Sequence, residues 1–135
     1  MEIRAAGAGD VEAVLALWRE AGSVPTVSDT PEGVRTLLAH DPGALLLAVA
    51  DGTVTGALIA AWDGWRGELY RLAVAPRTRR RGVATALVRA GEGRLRALGA
   101  LRIAAIVEGD EPSAFWSAAG YELQPGHRRF VRTLR

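Results

Sequence analysis

The sequence predicts a mixed α/β fold, and three observations carry that expectation. Apolar runs of strand length alternate with stretches whose apolar residues recur at helical spacing. An Asp51–Gly52 pair stands between two of those runs, where it reads as a hairpin turn. A third long run stops at Pro76, shortly before a helix that opens on Gly82. At 135 residues, the chain is long enough to bury a core, and residues 1–135 are read as one domain.

"EIRAA" gives a short opening strand, after which Val11, Val14, Leu15 and Trp18 share a helical face, with Asp10 as the expected N-cap. "DTPEGVRTLLAH" gives a second short helix opened by Thr30 and Pro31. The "SVPTVS" connection between these helices has no periodicity and is free to line a site. "ALLLAVA" and "TVTGALIAAW" flank the Asp51–Gly52 turn as a strand pair. After the polar break "DGWRG" comes "ELYRLAVAP", the third long strand. Val83, Ala84, Leu87, Val88, Leu95 and Leu98 then form the apolar face of a helix that Gly99 stops. "LRIAAIV" is a further strand, "EPSAFWSAAG" a short helix ending at Gly120, and "YELQPGHRRFVRTL" two closing strands around Pro125–Gly126. The expected order is β-α-α-β-β-β-α-β-α-β-β.

Composition narrows the function classes. No run reaches the roughly 18 consecutive apolar residues of a membrane span, and "MEIRAAGAGD" lacks the zones of a secretory signal, so a cytoplasmic location without membrane contact is expected. With no cysteine, and with His40 and His127 far apart, no metal site is expected. All 17 basic residues are arginine and the formal net charge is only +2. G/C-rich coding produces the same arginine bias, so the high isoelectric point alone is not read as nucleic-acid binding.

The chemistry concentrates in "PRTRRRGVATAL", from Pro76 to Leu87. A helix start leaves backbone N–H groups unpaired, and its dipole favours negative charge. Gly82 lets the backbone come close to a ligand or take a positive φ, and Ala84 keeps the first turn open. Arg79, Arg80 and Arg81 add guanidiniums that neutralise phosphate charge. Strand, arginine run, glycine and helix together read as a pyrophosphate cradle, with exposed surface arginines as the plain alternative. A P-loop is excluded because the chain has no lysine. "GAGD" at Gly7–Asp10 lacks the third glycine of a dinucleotide fingerprint.

Arg79-Arg80-Arg81-Gly82-Val83-Ala84 resembles the central motif of the GNAT N-acetyltransferase family: Arg or Gln, two residues, Gly, one residue, then Gly or Ala. "LYRLAVAP" resembles the strand before that motif, and "FWSAAGYE" the family's later helix-to-strand segment. The element order agrees too, so the resemblance spans nearly the whole chain. It implies acetyl-CoA as co-substrate. The pyrophosphate would lie on the amides from Arg79 to Ala84, with Thr85 counted in the same cofactor-binding stretch, and the pantetheine arm along the main chain of Leu72, Ala73 and Val74. Splayed strands expose peptide groups that such an arm satisfies.

Acetyl transfer to an amine needs a proton acceptor and a way to handle the thiolate. Some family members place a glutamate base at the position of Glu68, which strand alternation puts on one face with Tyr70, Leu72 and Val74. A solvated strand-end carboxylate is the ordinary alternative for Glu68, and Glu108 is the reserve candidate. Trp116 stands where many members carry a tyrosine acid; an indole N–H donates a hydrogen bond but does not release its proton, so Trp116 is a candidate to orient the thiolate, with a packed core aromatic as the ordinary alternative. Trp18, Trp62 and Trp65 border the expected acceptor cleft, and Arg66 and Arg128 are candidates for an acceptor carboxylate.

The leading reading is direct transfer of acetyl from acetyl-CoA to an amine of a small molecule, peptide or protein. A silent acyl-CoA sensor and a basic nucleic-acid module using Arg77–Arg81 stand as alternatives; the last lacks aromatics interleaved with its basic run. The closing strands offer an edge for pairing, which leaves monomer and homodimer both open.

Overall fold

The structure, a computed structural model, describes residues 1–108 and 113–134. Its centre is a mixed sheet of β1 (Glu2–Ala5), β2 (Leu45–Ala50), β3 (Thr53–Trp62), β4 (Gly67–Val74) and β5 (Ile103–Ala105), in that spatial order. The first four strands are antiparallel to their neighbours, and β5 runs parallel to β4. Helices α1 (Val11–Glu20) and α2 (Pro31–His40) cover one face; α3 (Val83–Leu98) and α4 (Ser113–Ala118) cover the other.

Two apolar layers result, and the alternation of β2 builds both. Leu45 and Leu47 join Val11, Val14, Leu15 and Trp18 under α1, whereas Leu46 and Ala48 join Leu58, Leu87 and Leu95 under α3. Asp51 and Gly52 have φ of 51° and 73°, the paired positive angles that a two-residue hairpin turn demands. Thr30 Oγ1 accepts the Gly33 N–H at 3.0 Å and Pro31 fills the first turn, so α2 begins as its sequence indicates. Asp10 does precede α1, but its carboxylate serves the preceding turn: it accepts the Gly7 N–H at 2.8 Å and both Arg4 terminal nitrogens.

One departure from regular alternation shapes everything downstream. Ala57 lies opposite Ala73 while Ile59 lies opposite Tyr70, so β4 carries one residue more than β3 across this stretch. The result is a β-bulge, with Arg71 at φ 56°. Left-handed backbone at a non-glycine residue costs roughly 1–2 kcal/mol, and the side chain's ion pairs offset it. The bulge reverses the faces beyond it. Leu72 and Val74 turn toward α3, whereas Tyr70 and Ala73 turn toward α1. Glu68 therefore shares a face with Tyr70 but not with Leu72 and Val74, which corrects the uninterrupted alternation expected from sequence.

Helix α3 buries Val83, Leu87, Val88 and Leu95, with Gly91 completing the face where the sheet comes close. A Cβ on Gly91 would stand 3.0 Å from Leu69 Cδ2. Leu98 departs from that expected face and is 43% exposed. Gly99, at φ 109°, ends the helix as expected.

Two segments are shorter than the sequence signals. β5 keeps only three residues of "LRIAAIV", because beyond Ile106 it diverges from β4. The head of the expected fourth helix, Glu111 and Pro112, lies outside the described residues. Residues 121–134 form neither of the two closing strands; a turn from His127 N–H to Gln124 O stands in their place. A strand is held by a neighbour's ladder, and β5 offers a short one; Leu123, Phe130 and Leu134 stay 84%, 86% and 93% exposed.

Candidate functional site

Past their short ladder, β4 and β5 separate. The last bond between them runs from Ile106 N–H to Leu69 O at 2.9 Å, so the β5-facing flank of β4 from Arg71 to Val74 has no ladder among the described residues. The split opens into a cleft of about 780 Å³. Leu72, Ala73 and Val74 form its floor, Arg79, Arg80 and Ala84 one end, and Phe115 and Trp116 a wall from α4. Ala21–Val24, after α1, and Glu108, after β5, complete the lining, and Val24 and Glu108 meet Arg71 at the inner end.

The junction between β4 and α3 presents free donors. A short 3₁₀ turn spans Pro76–Thr78, and the Arg79 N–H turns back to Pro76 O at a long 3.4 Å. From Arg80 to Thr85, six consecutive backbone N–H groups donate to no acceptor among the described residues; the first helical bond is Ala86 N–H to Gly82 O. Arg80 and Gly82 both take left-handed backbone, with φ of 66° and 79°. Alternation of this kind turns successive N–H groups toward a common anion, as in a nest. The positive φ at Gly82 is what its glycine supplies. Nothing lies within 4 Å of a Cβ built there, so the requirement is conformational and not steric.

Charge accompanies the donors. Arg79, Arg80 and Arg81 are exposed and form no ion pair among the described residues, whereas Arg77 is held by Glu20 at 2.5 Å. Val83 is buried beneath the junction, and Thr85 faces a smaller neighbouring cavity of about 330 Å³ with Arg89 and Phe115.

Trp116 packs edge-on to Phe115 and to Tyr121, each with ring centroids 5.2 Å apart. Glu68 is exposed on β4, opposite Ala61 and Ala104, and does not line the cleft. Its charge acts on half-buried Tyr70, whose phenol is pushed up first by burial and then by Glu68. Glu108 does line the cleft and lies 3.6 Å from Arg71 Nε. Trp18 is buried, Trp62 packs on the α3 side, and Trp65 is exposed beneath the Arg66 guanidinium. Neither Arg66 nor Arg128 lines the cleft.

Sequence reasoning missed Arg71. Its side chain lies at the cleft's inner end, only 10% exposed, bonded to Asp29 and stacked 5.1 Å from the Trp18 ring. No local signal marks it, because bulges with left-handed backbone favour glycine and an arginine stands here.

Among the described residues, no group of three or more His, Asp or Glu side chains could hold a metal, and no helix is long and apolar enough to cross a membrane.

Known proteins resemble this chain in sequence and in fold. An acetyltransferase of Photorhabdus laumondii is 34% identical over 131 residues, covering 97% of this chain and 92% of its own. Ard1 of Thermoplasma volcanium superposes with a TM-score of 0.79 at 21% identity, over 91% of this chain and 83% of that one. The PaiA N-acetyltransferase of Thermoplasma acidophilum, solved in complex with coenzyme A, gives 0.71 at 18% identity over 88% and 86%. The sequence profile of the acetyltransferase (GNAT) family matches residues 12–121. With that profile laid over a five-stranded split sheet and its arginine–glycine junction, the chain belongs to the GNAT family of acetyltransferases.

Proposed function

We propose that this acyltransferase uses acetyl-CoA and delivers the acetyl group directly to a primary amine of a small molecule or peptide. One observation carries the reading. The six free amides from Arg80 to Thr85 stand at the end of the same cleft whose floor is the unpaired flank of Leu72–Val74. A diphosphate needs several donors and positive charge; an amide-bearing arm needs unpaired peptide groups. The sequence sets the two needs side by side. A solved relative of the same fold carries coenzyme A, which supports the choice of cofactor.

In this reading the diphosphate rests on the free amides from Arg80 to Thr85, the Arg79 N–H being turned to Pro76 O, with Gly82, Val83 and Ala84 forming the first turn beneath it. Arg79, Arg80 and Arg81 neutralise its charge. The arm follows Leu72, Ala73 and Val74 and brings the thioester to the inner end of the cleft. The amine nitrogen attacks the thioester carbonyl, a C–N bond forms, the C–S bond breaks, and CoA leaves as thiolate. Glu68 takes the ammonium proton through solvent; among the described residues it makes no ion pair, whereas Glu108 is engaged with Arg71. Trp116 lends an N–H to the departing sulfur and leaves its protonation to water.

Calorimetry with acetyl-CoA, followed by CoA thiol release over putrescine, kanamycin, lysine and a dipeptide amide, tests the reading. Binding with turnover on any of them supports it. Absence of binding removes the cradle, and binding without turnover on any amine shifts the reading to a silent acyl-CoA sensor.

A further inference from the structure

We infer that Arg71 is a positioning residue for the acceptor: it pins the Ser23–Asp29 connection against the cleft, and this rests on the acetyl-transfer reading for its substrate consequence. Three separate parts of the chain meet at its guanidinium. Nη2 donates to Asp29 Oδ2 at 2.5 Å and approaches Val24 O at 3.5 Å, both in the connection between α1 and α2. Nε lies 3.6 Å from Glu108 Oε1, across the split on the β5 side. The guanidinium carbon sits 5.1 Å from the Trp18 ring on α1.

The connection has little else to hold it. Residues 23–28 are largely exposed, and its two valines, Val24 and Val27, are 71% and 41% exposed, so apolar packing contributes little. Inside the loop, Asp29 Oδ2 also accepts the Thr26 N–H at 2.6 Å. One carboxylate oxygen thus shapes the loop and fastens it, and Arg71 is the far end of the fastening. A planar guanidinium suits this work, since its fork reaches two carboxylates at once and its face lies on an indole. Arg71 directly precedes Leu72, so the tie couples the loop to the strand segment proposed to hold the arm.

Charge sharpens the consequence. Arg71 faces two carboxylates, Asp29 behind it and Glu108 beside it on the cleft, so its single positive charge is more than matched. An acceptor entering beside Val24 and Glu108 meets a site suited to a cation, with its shape set by the tied loop.

Arg71→Gly separates side chain from backbone, because glycine adopts the φ of 56° freely. In this variant, amide hydrogen exchange across residues 23–29 should rise by about tenfold or more while exchange at residues 80–85 stays unchanged. With whichever of the four probe amines turns over fastest, KM for the amine should rise by about tenfold, with the acetyl-CoA Kd within about twofold of wild type. Arg71→Lys should restore part of the loss, having one donor head in place of a fork. Asp29→Asn should mimic Arg71→Gly, and the pair together should cost little more than either alone. A purely structural arginine would lower melting temperature without this split between amine KM and acetyl-CoA Kd. Unchanged exchange at residues 23–29, or an effect confined to acetyl-CoA binding, overturns the inference. If the wild-type chain transfers no acetyl group, the acetyl-transfer reading fails by itself, and the exchange measurement still decides the tie.

Discussion

Tyr121 donates its hydroxyl to Glu92 Oε2 at 2.7 Å, fastening the residue beyond α4 to the middle of α3. Burial and then the Glu92 carboxylate push the phenol well above its ordinary pKa, so it stays a donor at every working pH. The ring also braces Trp116 edge-on. Tyr121→Phe should therefore cost about 1 kcal/mol in urea unfolding. It should also lower turnover modestly by loosening Trp116; wild-type stability would show the bond to be idle.

Gly82 is the least replaceable residue of the junction. Space is open around it, so Gly82→Val is penalised by its backbone, by about 1–2 kcal/mol. Acetyl-CoA affinity should fall about tenfold or more as the amides swing away. Calorimetry on the folded variant separates the two effects.

Glu68→Gln should reduce kcat by about a hundredfold or more while the acetyl-CoA Kd stays put. Glu108→Gln run in parallel discriminates the two carboxylates: if the larger kcat loss falls on Glu108, Glu68 leaves the mechanism.

Asp10 gives the fold a defined acid sensitivity. Hydrogen bonds from Arg4 and then from Gly7 hold its carboxyl at about 2, below its ordinary 3.8. The stabilisation is complete above about pH 4 and is lost as pH falls toward 2, because the unfolded chain takes the proton first. Allowing for solvent around Arg4, it amounts to roughly 1–2 kcal/mol. Denaturant midpoints of wild type and Arg4→Met should differ at pH 6 and converge near pH 2.

Much of this molecule was legible in its residues, and the reasons are local. Asp51–Gly52, Thr30–Pro31 and Gly99 each impose one backbone geometry wherever they occur, and all three fold as written. The turn into α3 was legible for the same reason: Gly82 between arginines and an apolar helix asks for the positive φ it takes. The bulge at Arg71 was not, since one extra residue leaves no compositional mark yet turns Leu72 and Val74 to the other face. Glu68 was placed with them on the assumption of an unbroken strand. The closing segment failed for the opposite reason: "RRFVRTL" has strand character, but pairing depends on a neighbour that its own residues do not specify.

On the acetyl-CoA reading proposed above, the gap between β4 and β5 also sets what sort of compound would block this protein. Apolar groups find walls in Ile106, Val107, Phe115 and Trp116, but they leave the unpaired peptide flank of Leu72–Val74 unsatisfied. A lead built as a slim chain of regularly spaced carboxamides, carrying an anionic tail, would match the lock far better.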